Sequence, residues 1–297
     1  MSWLLIVVIA HIFYASVFII DKYILSKELP HPVVYAFYVG ILSISVWLLI
    51  PFGFSFPNLN QIILVIIAGV FQVAGWILLY KALNIGEVSR ITPFIGSAIA
   101  IFTLIFSRII IGETLDWKQL LAFIFLVLGG LVISVEKKRI FKGFFDNGFG
   151  LAFSASLFFA IFWVLTKYIF LDTTFISGII WTRTGVAIIA LTLLLSKKNR
   201  ELIFKKTEKL KLKTIKFFIS GRLFSILGAL GIYWAVFLGS VTLVNSLEGI
   251  QYVFVLFLAL LLFKKFRNLR EQFSNEILFQ KILAVVLISL GLVILVI

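Results

Sequence analysis

The sequence predicts an all-α integral membrane protein, with ten transmembrane helices arranged as two inverted five-helix repeats around a central cavity. Three observations predict it. The 297-residue chain is 62% hydrophobic, and its apolar residues gather into ten stretches. Each is close to the roughly 20 residues that carry a helix across about 30 Å of hydrocarbon. At a constant offset of 153, Gly75, Tyr80, Ala82, Gly86, Val88 and Gly96 fall on Gly228, Tyr233, Ala235, Gly239, Val241 and Gly249. Finally, 22 of the 27 lysines and arginines lie in or beside the odd-numbered loops between spans. Short basic loops of this kind stay in the cytoplasm.

The first five spans are expected at 3–21, 32–51, 61–80, 88–110 and 118–135, and the second five at 149–170, 175–195, 214–238, 242–263 and 279–297. The first lacks a basic leader and a small-residue cleavage site, so it reads as a retained helix. Ile62 to Tyr80 is the clearest span, with Gln72 its one strongly polar side chain. Pro30, Pro32, Pro51 and Pro57 sit at or outside helix ends, where a missing amide donor costs least. Pro93 is expected in the first turn of the fourth span, another tolerated place. With so little chain outside the spans at either end, no regulatory tail is expected.

The duplication sets the domain organisation: residues 1–136, a basic linker at 137–148, and residues 149–297. Lys22-Tyr23-Ile24 recurs as Lys167-Tyr168-Ile169 at offset 145, and Gly130-Leu131-Val132-Ile133 as Gly291-Leu292-Val293-Ile294 at offset 161. The growing offset places two insertions in loops of the second half. An odd number of spans per unit makes the second copy enter the membrane from the opposite side. Inverted repeats of this kind bind a solute near the bilayer midplane, between the copies. The charge pattern puts the segments 136–147, 196–213 and 264–278 in the cytoplasm and both termini outside, with the chain in the cytoplasmic membrane.

Composition removes several classes of function. There is no cysteine, hence no disulfide, thiolate metal site or cysteine nucleophile. Two histidines make a metal centre unexpected. Gly-rich phosphate loops and His-Glu zinc helices are missing, so neither an enzyme nor a cofactor is expected. A net charge of +14 would suggest nucleic acid in a soluble protein. Here the basic residues lie between spans, and their partner is the anionic head-group region of membrane lipids.

Ionisable groups inside a span cost about 2.5–3.5 kcal/mol each on insertion scales, so each asks for a partner or a purpose. Arg183, Arg222 and Glu248 lie several residues inside the seventh, eighth and ninth spans. Two guanidiniums against one carboxylate make a site suited to a carboxylate or phosphate, which arginine grips in a bidentate manner. A structural ion pair with one snorkelling arginine is the bland alternative. Asn245, Glu248 and Tyr252 share one helix face, with Gln251 beside them, and Gln72, Trp76 and Tyr80 form a similar stripe. Tyr80 is assigned to the membrane interface. His11 and Glu248 are the candidates for proton coupling, and Trp163 is placed as a cap over the site. Glu113, after Gly112, is read as a cap for the amides that open the fifth span.

Tyr80 to Ser134 resembles the first EamA-type domain of the drug/metabolite transporter superfamily. The resemblance rests on Lys81-Ala82-Leu83, Val88-Ser89, Thr92-Pro93, Ile111-Gly112-Glu113, Leu115, Gln119 and Gly129-Gly130. It implies a basket of ten helices whose cavity opens alternately to each side, carrying small organic metabolites. It also implies cytoplasmic termini, against the charge count. In the second half the proline position is Ser246, and Gly-Glu is replaced by Lys265-Phe266. The expectation is thus a secondary transporter of a small organic metabolite, anionic or zwitterionic. The alternative is a membrane-embedded binding or assembly partner that moves nothing.

Overall fold

The computed structural model describes residues 2–25, 31–85, 88–134, 148–204, 212–262 and 275–297. Side chains at 18–25, 88–90, 212–219, 256, 259–262 and 275–278 fall outside that description. The expected linker at 137–148 lies outside it except for Gly148, as do most of the basic segments and the side chains of Asp21 and Lys22.

The described residues form helices and no strands. In chain order these are α1 (Ser2–Leu25), α2 (Pro32–Leu42) continued by a 3₁₀ stretch (Ser43–Phe52), α3 (Leu59–Ile85) and α4 (Val88–Ile110). Then come α5 (Trp117–Ser134), α6 (Phe149–Leu171), α7 (Phe175–Thr192) and the short α8 (Lys197–Ile203). The last are α9 (Leu212–Leu238), α10 (Val241–Ser246), α11 (Gly249–Leu262) and α12 (Asn275–Val296). Among the described residues, eight stretches are long and apolar enough to cross a membrane, and Ser2–Val17 and Val241–Val255 are shorter apolar helices. The protein is therefore an all-α integral membrane protein.

Local chemistry explains the helix ends. His31 Nδ1 accepts from the Val33 amide, and Pro32 fills the first position of α2, where its missing N–H is no loss. At α3 and again at α5, two side chains cap each other's backbone. Asn58 Oδ1 accepts from Gln61 N at 2.8 Å while Gln61 Oε1 accepts from Asn58 N at 3.0 Å. Asp116 and Gln119 repeat the pattern at 2.8 and 3.1 Å. Gly112 turns the chain from α4 into α5 with φ +68°, a left-handed conformation that glycine adopts without strain. Pro93 is the sixth residue of α4, not part of its first turn, so the helix forgoes the bond to Ser89 inside the membrane.

The surface is apolar where it faces lipid: Leu48 and Leu195 are 79% and 83% exposed. In the interior, small residues let helices approach between large buried side chains such as Tyr233 and Phe162. Ala36, Ala68, Ala82, Ala152, Ala160 and Ala235 are fully buried. In hydrocarbon, close backbone approach and dispersion hold helices together more than apolar burial does. Gly69 and Gly185 make a seam in which backbone meets backbone: a Cβ on Gly185 would lie 2.3 Å from the Val65 carbonyl oxygen. The most extensive packings join α1 with α9, α3 with α6, α5 with α12, and α3 with α7. α4 packs on α6 and on α5, α1 on α11, and α2 on α7. Tyr80 is buried and stacks on Tyr35 with ring centroids 3.7 Å apart, which corrects its assignment to the interface.

Candidate functional site

The ninth span is jointed. α10 ends at Ser246, α11 begins at Gly249, and the turn between them carries Glu248. Across the joint the amides bond three residues back: Glu248 N to Asn245 O, Ile250 N to Leu247 O and Gln251 N to Glu248 O. A tight 3₁₀ turn inside a longer helix marks a hinge, and interrupted helices line solute sites in transporters. No proline or long polar run announces this joint.

Three residues of the predicted stripe turn toward α4. Asn245 Nδ2 donates to Thr103 Oγ1 at 3.0 Å, and the Tyr252 hydroxyl donates to the Thr92 carbonyl at 2.7 Å. Between them the Glu248 carboxyl group lies against Gly96, where an added Cβ would come within 2.8 Å of its carboxyl carbon. Gly96 thus makes room for the carboxylate, and Pro93 lies one turn away on the same helix.

A second cluster gathers around Tyr233 of α9. The Arg183 guanidinium lies 5.3 Å from the Tyr233 ring centroid, within cation–π distance. The Trp163 ring is 5.1 Å from the same tyrosine, so Trp163 packs against the cluster. Tyr14 of α1 links the two groups: it is within electrostatic reach of Arg183, Tyr233 and Glu248. His11, one turn back, is buried beside Gln251, and neither of its ring nitrogens makes a hydrogen bond. Gln72 is buried with its Oε1 unpartnered, and Trp76 packs among the interior apolar residues one turn on. Arg222 is half-buried eleven residues before Tyr233, roughly 16 Å along α9, and so stands apart from Arg183. The structure therefore draws Arg183, Trp163, His11, Glu248 and Tyr252 toward one interior from α7, α6, α1 and the jointed span. A separate apolar groove of about 210 Å³ lies between α3 and α7, lined by Phe56, Ile62, Val65, Trp181 and Ile188. It presents no charged group.

Two polar residues hold partners that the sequence did not assign to them. Glu113 does not cap α5, a task Asp116 performs. Its Oε2 instead accepts from the Thr242 hydroxyl at 2.6 Å, and Thr242 lies 2.8 Å from the Ser107 hydroxyl. Lys167, singled out by sequence only as part of a repeated Lys-Tyr-Ile, lies inside α6. Its ammonium donates to the carbonyls of Val236 (2.8 Å), Phe237 (3.2 Å) and Gly239 (2.8 Å).

Residues 1–135 match the EamA-like transporter family. The recognition drawn from Tyr80 to Ser134 therefore holds over that first half, and the described residues include eight helices long and apolar enough to cross a membrane. A solved crystal structure of another protein has the same fold, with a TM-score of 0.67 at 15% identity over 99% of this chain and 96% of that one. No match to a curated protein was found.

Proposed function

We propose that the protein is a secondary carrier that moves a small organic metabolite across the cytoplasmic membrane by alternating access. Two five-helix units, residues 1–136 and 149–297, would rock about a central site. In this reading the ten spans are α1, α2 with its 3₁₀ extension, α3, α4, α5, α6, α7, α9, α10 with α11, and α12.

The helix packing supports an inverted duplication. Exchanging the first five spans for the second five turns α1–α9 into α6–α3, and α4–α6 into α10–α11 with α1. The same exchange leaves α5–α12 and α2–α7 unchanged, and all these pairs are in contact. Both copies also carry a deformation at matching places, Pro93 in α4 and the joint after Ser246, at the offset of 153. Several pairs depart from the symmetry: α2–α3 and α4–α5 pack more extensively than their equivalents α7–α9 and α11–α12. α3 packs closely on α7, whereas α2 and α9 make no comparable packing among the described residues. An alternating-access carrier caught in one of its two states has this kind of asymmetry.

The observation that carries the reading is Glu248 at the joint of an interrupted span, opposite the Arg183–Tyr233–Trp163 cluster. A carboxylate and arginine around one interior suit an anionic or zwitterionic solute. The purified protein in liposomes, tested against pools of such metabolites with and without a pH gradient, should carry at least one of them. Glu248→Ala and Arg183→Ala should each abolish carriage while the protein still folds. Normal transport in both variants would remove these residues from the site. The basic loops place the end bearing Lys167, Glu113 and Trp3 outside. A reporter active only in the cytoplasm should therefore be silent at the C-terminus and active within 136–147.

A further inference from the structure

At one end of the bundle, polar contacts join two groups of helices. α3, α4 and α6 pack together, with α10 seated on α4, and α1 packs with α9 and α11. Lys167 belongs to the first group, and the carbonyls it holds belong to the second. Val236 and Phe237 supply closing carbonyls of α9, which have no amide partner within the helix and carry the negative end of its dipole, and Gly239 follows directly. An ammonium has three donors and no acceptor, and here each donor has a carbonyl.

Further contacts pin the link between α9 and α10 at this end. Glu113, which follows α4, lies within electrostatic reach of Lys167, and its carboxylate is held by Thr242 of α10. Ser107 of α4 meets the same threonine. Trp3 of α1 covers Gly239, where an added Cβ would come within 2.9 Å of its ring. A lysine that only needed solvation would snorkel toward head groups. This one instead reaches across to the end of a helix in the opposite group.

We propose that Lys167 is a tethered cation that latches the two helix groups at this mouth. Its ammonium fills a cation site formed by the closing carbonyls of α9, and the mouth opens when the ammonium leaves it. The proposal rests on the rocking-carrier reading and adds a specific closure to it.

The chain contains no cysteine, so reporter pairs can be introduced without background. Leu171→Cys at the end of α6 and Leu238→Cys at the end of α9 are exposed positions beside the latch. With spin labels on both, pulsed dipolar spectroscopy in lipid nanodiscs should give one short distance when Lys167 is present. Lys167→Arg, which keeps the charge and several donors, should hold it. Lys167→Met, similar in length but without charge, should populate a second, longer distance. An unchanged short distance in Lys167→Met refutes the latch. So does loss of the folded protein, since the lysine would then be a structural cap. Transport measured on the same samples separates the two ideas. Carriage with unmoved distances removes the latch alone, whereas an opening mouth without carriage of any solute removes the carrier and keeps the latch.

Discussion

Gly185→Ala is expected to pry apart α3 and α7. The added methyl group would lie 2.3 Å from Val65 O, 2.6 Å from Val65 Cγ1 and 2.8 Å from Val65 C. Ordinary contact begins at 3.4 Å, so the helices must separate by about 1 Å. Two of the three atoms are backbone and cannot rotate away. Overpacking of this kind costs about 1–3 kcal/mol. The reciprocal substitution Gly69→Ala meets Gly185 O at 2.5 Å. Because either methyl opens the same seam, the double variant should lose less than the sum of the two single losses. Gly228→Ala is the control: its nearest neighbour is Ala10 O at 3.2 Å, and the Tyr14 ring lies at 3.4 Å, so only a small adjustment is needed. Equilibrium unfolding in mixed detergent micelles, followed by tryptophan fluorescence, measures all four. If Gly185→Ala unfolds with wild type, or Gly228→Ala loses as much as Gly185→Ala, the close-packed seam is not what holds these helices.

Two further predictions concern the end that carries the latch. Thr242→Val removes the 2.6 Å donor to Glu113 while keeping the shape, and should cost about 1–3 kcal/mol in the same unfolding assay; Thr242→Ser should cost far less. Asp116→Ala removes the cap of α5 and should cost about 0.5–2 kcal/mol, with faster amide exchange confined to the first turn after Trp117. Asp116→Asn should restore protection.

The helices were readable because hydrocarbon permits few backbone solutions, and apolar runs of the right length report them directly. Details set by side-chain partners were harder to read. Tyr80 looked like an interface anchor because tyrosine favours that depth, but only the fold supplies Tyr35 as its stacking partner. Glu113 looked like a helix cap because it precedes α5 closely. The Asp116–Gln119 spacing was the better signal, and Thr242 lies far away in sequence. The joint at Leu247–Glu248 falls among Asn245, Glu248 and Gln251, polar residues that read equally well as a stripe on an unbroken helix. Lys167 resembled any lysine near a helix end, and its meaning depends on where α9 stops.

The joint in the ninth span has a mechanical consequence. A straight rod transmits a push along its whole length, whereas a rod with an elbow lets its two arms swing separately. Here the carboxylate sits at the pivot. Whatever grips Glu248 exerts torque on both arms at once, one leading toward Thr242 and the other toward Tyr252. In the proposed carrier, a small molecule held at the pivot would have leverage on both arms without touching the far end of either.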